Sequence, residues 1–305
     1  WPDQQFEVDN SGALARPVAR DLAAFGTPAV LGNVIDSSLY PYGAGRAGVW
    51  FEDQTQSGEP ELSFEPASSN EAARRHMATW GFCVLKQTVP LDLIQRFNVE
   101  IDEAFDQGRL NHKSGSSDRI LGAHRLEAGK SIWLFPPVLR FLRDWFQDEP
   151  CACQSLLFVY GSQQQPHQDT IHLTPYPFGL MCGVWIPLED VREDSGELVV
   201  FPGSHRTSRL TTEALHLAKV KDDYSSYVSF DNAIAKLISE GGYQPRIYRP
   251  KAGQILVWHE NLIHGGSPRK NPALTRRSFV SHYFARGAVA YYDSRGDAAS
   301  LEQIT

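Results

Sequence analysis

The motif His167-Gln168-Asp169 places two potential metal ligands two residues apart. In an extended segment, residues i and i+2 point the same way, so His167 and Asp169 could bind one ion while Gln168 faces elsewhere. A third ligand, His264, would have to come from a distant strand that folds back beside them. Two imidazoles and one carboxylate leave the opposite side of a metal open, which suits non-haem Fe(II) and O2. We therefore predict that His167, Asp169 and His264 bind the metal and are the catalytic centre.

Other histidines compete for the third position. The candidates near the same motifs are His172, His205, His259 and His282. His259 is the strongest of them, but on a strand its odd separation from His264 would place the two side chains on opposite faces.

The residues around the predicted ligands form an ordered series of motifs. In chain order these are Gln165-Pro166-His167-Gln168-Asp169-Thr170, residues 183–191, Asp194-Ser195-Gly196, Pro202-Gly203-Ser204-His205, residues 258–266 and Arg276. The series resembles the phytanoyl-CoA dioxygenase family, and the resemblance extends from roughly residue 70 to residue 286. It selects His264 as the distal ligand. It implies an enzyme that uses Fe(II), O2 and 2-oxoglutarate, and that releases succinate and CO2 as it oxidises a substrate.

The resemblance also implies an arginine that anchors the far carboxylate of 2-oxoglutarate, because a guanidinium can hold a carboxylate through two hydrogen bonds. Arg276 and Arg277 both lie near the family's position. Strand alternation allows only one of them to point inward, and the family's register favours Arg276. Further residues predicted to bind the co-substrate are Gln168, Trp185 and Ser267. Trp185 could equally be ordinary strand packing, and the family often has its hydroxyl at the position of Gly266.

Composition narrows the function class. The chain of 305 residues is 42% hydrophobic, enough for a full core, and its net charge of −7 argues against a nucleic-acid partner. No apolar stretch approaches the ~20 residues that span a bilayer. The four cysteines lack the spacing of a zinc or redox site, and no leader or glycosylation signal is evident, so we expect a cytoplasmic protein with a small-molecule substrate.

We predict one catalytic domain over residues 70–305. Residues 1–69 are expected to form an N-terminal extension that either packs on this domain or simply precedes it in the chain. The extension contains Gly43-Ala44-Gly45-Arg46-Ala47-Gly48, a match to a dinucleotide-binding pattern. A dinucleotide-binding loop needs a strand before it and a helix after it, whereas Tyr40-Pro41-Tyr42 precedes this pattern and Val49-Trp50-Phe51 after it favours a strand, so we reject a dinucleotide site.

Within the domain, hydrophobic periodicity predicts helices near residues 71–79, 90–105, 137–147, 212–218 and 233–239. A polar loop is expected over residues 108–122. Short strands are predicted at residues 81–85, 156–160, 181–188, 198–201, 246–249, 255–258 and 278–284. The fold class is therefore mainly β with flanking helices, a double-stranded β-helix or cupin-like jelly roll.

Retention of Asp169 bears on the reaction. In the family that this chain resembles, halogenating relatives lack this carboxylate, so that chloride can take its place on the metal. We therefore expect hydroxylation of an unactivated C–H bond. Desaturation or ring formation by the same oxidation chemistry is the alternative, and a non-catalytic cupin-like binding protein is an alternative of another class.

Overall fold

Most helices lie in the first part of the described chain and most strands in the second. The computed structural model describes residues 60–110, 119–220 and 227–298. Its α-helices are α1 (Asn70–Trp80), α2 (Leu91–Asp106), α3 (Glu127–Trp133), α4 (Pro136–Phe146) and α5 (Val228–Gly241). Its strands are β1 (Phe82–Val84), β2 (Ile120–Leu121), β3 (Pro150–Phe158), β4 (Thr174–Tyr176), β5 (Met181–Pro187), β6 (Leu198–Val200), β7 (Arg246–Tyr248), β8 (Leu256–His259), β9 (His264–Gly266), β10 (Ser278–Ala285), β11 (Val289–Tyr292) and β12 (Asp297–Ala298).

Local chemistry explains where the helices begin and end. Ser69 caps α1, its hydroxyl accepting a hydrogen bond from the backbone N–H of Ala72 at 3.1 Å, and Gly81 ends the helix at a φ of 82°. α4 begins at Pro136, whose missing N–H costs nothing in the first turn. Along α2, buried residues recur at helical spacing and form one apolar face.

The strands form one large sheet faced by two smaller ones. The large sheet has the order β1-β8-β5-β10-β3-β2, and the small sheets have the orders β7-β6-β9 and β12-β11-β4. The strand pairs within all three are antiparallel. This arrangement confirms the predicted jelly roll.

Two apolar clusters cover the two faces of the large sheet. On the outer face, helices α1 to α4 pack against side chains such as Val184, Val257 and Phe279. On the inner face, Trp185, Leu256 and Val280 pack with Leu198 and Val200 of the small sheet. Side chains along each strand point alternately toward these two clusters. Those on the inner face lie between the sheets, where they can also line a cavity.

Most predicted elements are present, but the prediction of a helix over residues 212–218 is wrong. That stretch forms turns, and His216 has a φ of 51°, outside the helical region. Asp293 also holds Thr212, accepting hydrogen bonds from its backbone N–H at 2.7 Å and its hydroxyl at 3.0 Å. These tertiary bonds compete with helical ones and interrupt the periodic stretch.

Helix α3 was not predicted. The first turn of α3 is capped from outside, since both carboxylate oxygens of Glu100 on α2 accept from the backbone N–H of Ala128, at 2.9 and 3.1 Å. A cap supplied by a distant residue leaves no local sequence signal.

Little of the predicted extension can be compared with the structure. Residues 1–59, including the rejected glycine pattern, lie outside the described residues, as does most of the predicted loop, residues 111–118. The described end of the extension packs on the core, where Phe64 lies 4.9 Å from the ring of Tyr248 and 5.1 Å from that of Phe82. In the described part of the chain, every helix is too short or too polar to cross a membrane.

Candidate active site

A pair of backbone hydrogen bonds brings the two predicted histidine ligands together. The N–H of His167 donates to the carbonyl of His264 at 2.9 Å, and the N–H of His264 donates back at 3.0 Å. This bridge lies at β9, in the small sheet β7-β6-β9. It is the arrangement expected for a strand that folds back beside the His167-Gln168-Asp169 motif. Asp169 is not extended: it begins a short 3-10 helix, and its N–H donates to the carbonyl of Glu260 at 3.1 Å. A turn, and not strand alternation, therefore directs Asp169 toward the histidines.

The three side chains form a cluster that fits a metal. One ligand atom from each of His167, Asp169 and His264 lies within 4.8 Å of the other two. Asp169 Oδ1 is 3.6 Å from His167 Nε2 and 3.8 Å from His264 Nε2. All three residues are buried.

Backbone carbonyls set the orientation of both imidazoles. His167 Nδ1 is 2.8 Å from the carbonyl of Gln165, and His264 Nδ1 is 3.0 Å from that of Leu262. A carbonyl only accepts, so each Nδ1 carries the proton and each Nε2 presents a lone pair toward Asp169. Burial, with a smaller contribution from the neighbouring His264, lowers the pKa of His167 to about 3, which keeps the His167 imidazole neutral and able to bind metal.

The second oxygen of Asp169 faces other residues. The indole Nε1 of Trp258 donates to Asp169 Oδ2 at 2.8 Å, and His282 Nε2 lies 3.6 Å from the same oxygen. Burial alone would raise the pKa of Asp169, but the interactions of its carboxylate with the neighbouring imidazoles of His264 and His282 outweigh burial and hold the pKa below its usual range. Asp169 is therefore an anion with one oxygen directed at the two imidazoles.

His259, the strongest alternative ligand, lies elsewhere. A turn separates it from His264, so the two residues belong to different sheets, and their separation is not the strand alternation that we assumed. The backbone N–H of Asn261 donates to His259 Nδ1 at 3.1 Å, and the His259 ring lies 5.5 Å from that of His205.

The triad opens into a cavity of about 370 Å³ between the sheets. The large sheet lines it with residues from alternate positions of its strands. These are Gln154, Leu156 and Phe158 of β3, Trp185 of β5, Trp258 of β8, and Val280 and His282 of β10.

Arg276 lies in the cavity wall, just before β10. Its side chain is 3% exposed, and its Nη1 donates to the hydroxyl of Ser278 at 2.7 Å. The guanidinium carbon is 5.4 Å from the ring of Trp185 and 5.7 Å from that of Phe158. Burial lowers the pKa of Arg276 to about 10. Among residues 60–110, 119–220 and 227–298, no carboxylate pairs with it, and its buried Nε has no hydrogen-bond partner.

Arg277 points the other way. Its Nη2 lies 2.6 Å from Asp102 Oδ1 on α2, and its backbone N–H donates to Glu189 Oε1 at 2.6 Å. One arginine of the pair therefore faces the cavity and the other faces a helix on the outside of the sheet.

Two of the residues predicted to bind the co-substrate form hydrogen bonds with other segments of the chain. The amide of Gln168 donates to the carbonyl of Ser208 at 3.1 Å and accepts from the N–H of Leu210 at 3.2 Å. The hydroxyl of Ser267 donates to Glu197 Oε2 at 2.6 Å. Neither side chain lines the cavity, whereas Trp185 does.

Trp258 was missed as a site residue, and His282 was considered only as a competing metal ligand, not as a residue that contacts Asp169. The signal for His282 was present, since residues 276, 278, 280 and 282 share one face of an extended strand and Arg276 was expected to point inward. Trp258 had no comparable signal, because its contact with Asp169 depends on the neighbouring strand β5.

Comparisons with known proteins agree with this site. The family model described as Phytanoyl-CoA dioxygenase (PhyH) matches residues 79–278. The mouse protein named Phytanoyl-CoA dioxygenase domain-containing protein 1 is 25% identical over 236 residues, which cover 66% of this chain and 78% of the mouse protein.

Two solved structures share the fold. SnoK, described as a non-heme alpha ketoglutarate dependent carbocyclase from nogalamycin biosynthesis, has a TM-score of 0.60 at 15% identity and covers 78% of this chain and 98% of its own. EctD from S. alaskensis, crystallised with 2-oxoglutarate and 5-hydroxyectoine, has a TM-score of 0.51 at 17% identity and covers 74% of this chain and 79% of its own.

The matched segment includes His167, Asp169, His264 and Arg276, and extends over more than half of the chain. Its donor set of two imidazoles and a carboxylate is the one that non-haem Fe(II) oxygenases use. The chain belongs to the phytanoyl-CoA dioxygenase family and is an Fe(II)- and 2-oxoglutarate-dependent oxygenase.

Proposed function

We propose that the protein hydroxylates an unactivated C–H bond of a small molecule, with 2-oxoglutarate and O2 as co-substrates and succinate and CO2 as further products. The observation that supports this most strongly is Arg276, a buried guanidinium that lines the same cavity as the triad. A buried charge without a counter-ion is costly, and a carboxylate of 2-oxoglutarate would supply the missing partner.

In this proposal the side chains bind, orient and exclude water. Arg276 holds the far carboxylate of the keto acid, while Trp185 and Phe158 restrict its guanidinium from the sides. Leu156, Leu198 and Val280 provide apolar wall beside it. When bound, Fe(II) and the keto acid supply the oxidising power that no side-chain acid or base could bring to an aliphatic C–H bond at neutral pH.

The substrate would lie in the remaining part of the cavity. Tyr227 and Phe230, at the start of α5, line it with Tyr292 at the end of β11 and Ser294 in the turn that follows β11. The latter two residues follow the segment that matches the family model, which ends at residue 278. Aromatic rings and hydroxyls together suit an organic metabolite with both apolar and hydrogen-bonding groups.

The test is a metabolite screen that measures succinate release, followed by reaction of the active compound under labelled O2. Hydroxylation should place one labelled atom in succinate and the other in the product. Loss of two hydrogens without oxygen insertion would replace hydroxylation by desaturation or ring formation. A chloride-dependent, chlorinated product would contradict the role given to Asp169. A tightly bound ligand that never triggers keto acid consumption would indicate a non-catalytic binding protein.

A further inference from the structure

A row of four side-chain positions crosses the large sheet beneath Asp169. Trp258 of β8 pairs with Gly183 of β5, Gly183 pairs with His282 of β10, and His282 pairs with Gln154 of β3. Trp258 and His282 therefore stand on either side of a glycine, and both approach the same carboxylate oxygen. The metal-facing oxygen of Asp169 is not involved in either contact.

Gly183 makes the position of the indole possible. A Cβ at Gly183 would lie 2.1 Å from Trp258 Cε2, 2.3 Å from Cζ2 and 2.4 Å from Nε1. Real Cβ atoms do not approach other atoms so closely, so the indole rests directly on the backbone of β5. From there its N–H reaches Asp169 Oδ2 at 2.8 Å, and its ring lies 4.7 Å from that of His264.

His282 presents a second ring nitrogen to the same oxygen. The amide nitrogen of Gln154 lies 3.4 Å from His282 Nδ1, and on the other side of the ring His282 Nε2 faces Asp169 Oδ2 at 3.6 Å. Ring nitrogens from two different strands thus converge on the carboxylate oxygen that points away from the triad.

We propose that Trp258 is a positioning residue for the metal site, because it orients the carboxylate of Asp169. Gly183 provides the space that the indole of Trp258 occupies. By holding Oδ2, the indole N–H leaves Oδ1 as the one oxygen of Asp169 available to a metal beside His167 and His264. A carboxylate that rotated freely could offer both oxygens and occupy a position that the co-substrates need. The inference rests on the proposed function, in that it assumes an iron site at the triad.

The experiment measures Co(II) binding to the metal-depleted full chain, by affinity and by visible absorption, with no substrate present. Trp258→Phe removes the N–H donor, and Gly183→Ala displaces the indole while leaving it in the sequence. We expect each variant to bind Co(II) about 10- to 100-fold more weakly, the usual effect of losing a hydrogen bond to a metal ligand. The absorption should also weaken as a second carboxylate oxygen raises the coordination number.

Trp133→Phe is the matched control. This indole is also buried, but it packs in the helical layer, where its ring lies 3.8 Å from that of His124. The control should bind Co(II) with unchanged affinity and an unchanged spectrum. A loss equal to that of Trp258→Phe would show that any buried indole matters to folding, and would overturn the inference.

A double-variant comparison separates positioning from general stability. In an Asp169→Ala background there is no carboxylate to hold, so adding Trp258→Phe should cause no further loss of Co(II) affinity. The same loss in both backgrounds would overturn the inference, as would unchanged binding by Trp258→Phe.

None of these measurements depends on turnover. If they give the expected results but no compound triggers succinate release, the positioning role stands and the proposed function fails. If the enzyme turns over and Trp258→Phe binds metal normally, the positioning role alone fails.

Discussion

Arg276 and Arg277 are chemically identical neighbours with opposite environments. Arg276 is buried in the cavity wall, whereas Arg277 forms an ion pair with Asp102 on the outer face. A residue's role here follows from the direction of its side chain and from its counter-charge, and two substitutions can separate the two arginines.

We expect Arg276→Lys to raise the apparent KM for 2-oxoglutarate roughly tenfold or more, because lysine offers a point charge without the planar pair of donors. Arg277→Lys is the control and should change this KM little. Initial rates at varied 2-oxoglutarate concentration give both values. A larger effect at Arg277 would show that the cavity arginine does not hold the keto acid.

The buried imidazole of His167 should make the metal-free protein sensitive to acid. Its pKa is lowered from 6.5 to about 3, mainly by burial. Below pH 6.5, His167 binds a proton in the unfolded state but stays unprotonated in the folded state. The free energy of unfolding should therefore fall as the pH falls toward 3. For one such group the slope reaches about 1.4 kcal/mol per pH unit.

Urea unfolding of the metal-free protein between pH 7 and pH 5 would measure this slope. His167→Gln removes the titrating group and should make the slope shallower. An equal slope in both proteins would mean that His167 accepts a proton in the folded state.

At the scale of elements, the site depends on how closely β9 approaches the segment before His167. A Cβ at Gly265 would lie 2.8 Å from the carbonyl oxygen of Gln164 and 3.2 Å from the nitrogen of Pro166. Both are backbone atoms that cannot rotate away as a side chain could. The absence of a side chain at this position thus allows His264 to pair with His167.

Gly265→Ala should therefore move β9 outward, stretch the two hydrogen bonds between His167 and His264, and weaken metal binding. We expect a destabilisation of about 1–3 kcal/mol, typical of overpacking. Co(II) titration together with thermal unfolding of the metal-free variant would distinguish a displaced site from an unfolded protein. Unchanged Co(II) affinity would show that the strand tolerates the methyl group without moving the ligand.

At the scale of the whole molecule, a metal at the triad would join segments that are far apart in the chain. His167 and Asp169 follow β3, while His264 lies in β9 of the small sheet. Unfolding separates these segments and releases the metal, so binding should stabilise the entire jelly roll.

We expect one Fe(II) per chain and a higher melting temperature in its presence, with about 2.7 kcal/mol of stabilisation at a hundredfold excess over Kd. A chelator should reverse the effect. His167→Ala and His264→Ala should lose both the stabilisation and turnover, whereas His259→Ala should have a lesser effect. Full activity with bound iron in either ligand variant would refute the assignment of the triad.

Features that depend on residue type and local periodicity could be predicted from the sequence. Alternating and helical patterns predicted the jelly roll and most of its elements, and the motifs around His167 and His264 identified the family. Exceptions arose where distant groups competed with local preference, as when Asp293 binds Thr212 in place of a helical turn. The boundary of the extension stays a prediction, because most of it lies outside the described residues.

Which side chains contact each other depends on how the sheets pair and pack. Strand alternation allowed either Arg276 or Arg277 to face inward, and the pairing of β10 with β3 and β5 selected Arg276. Gln168 was adjacent to two ligands in sequence, yet its amide binds the segment at Ser208 and Leu210. Trp258 reaches Asp169 only because register places it opposite Gly183. Register is set by packing over whole sheets, so no local pattern could report these contacts.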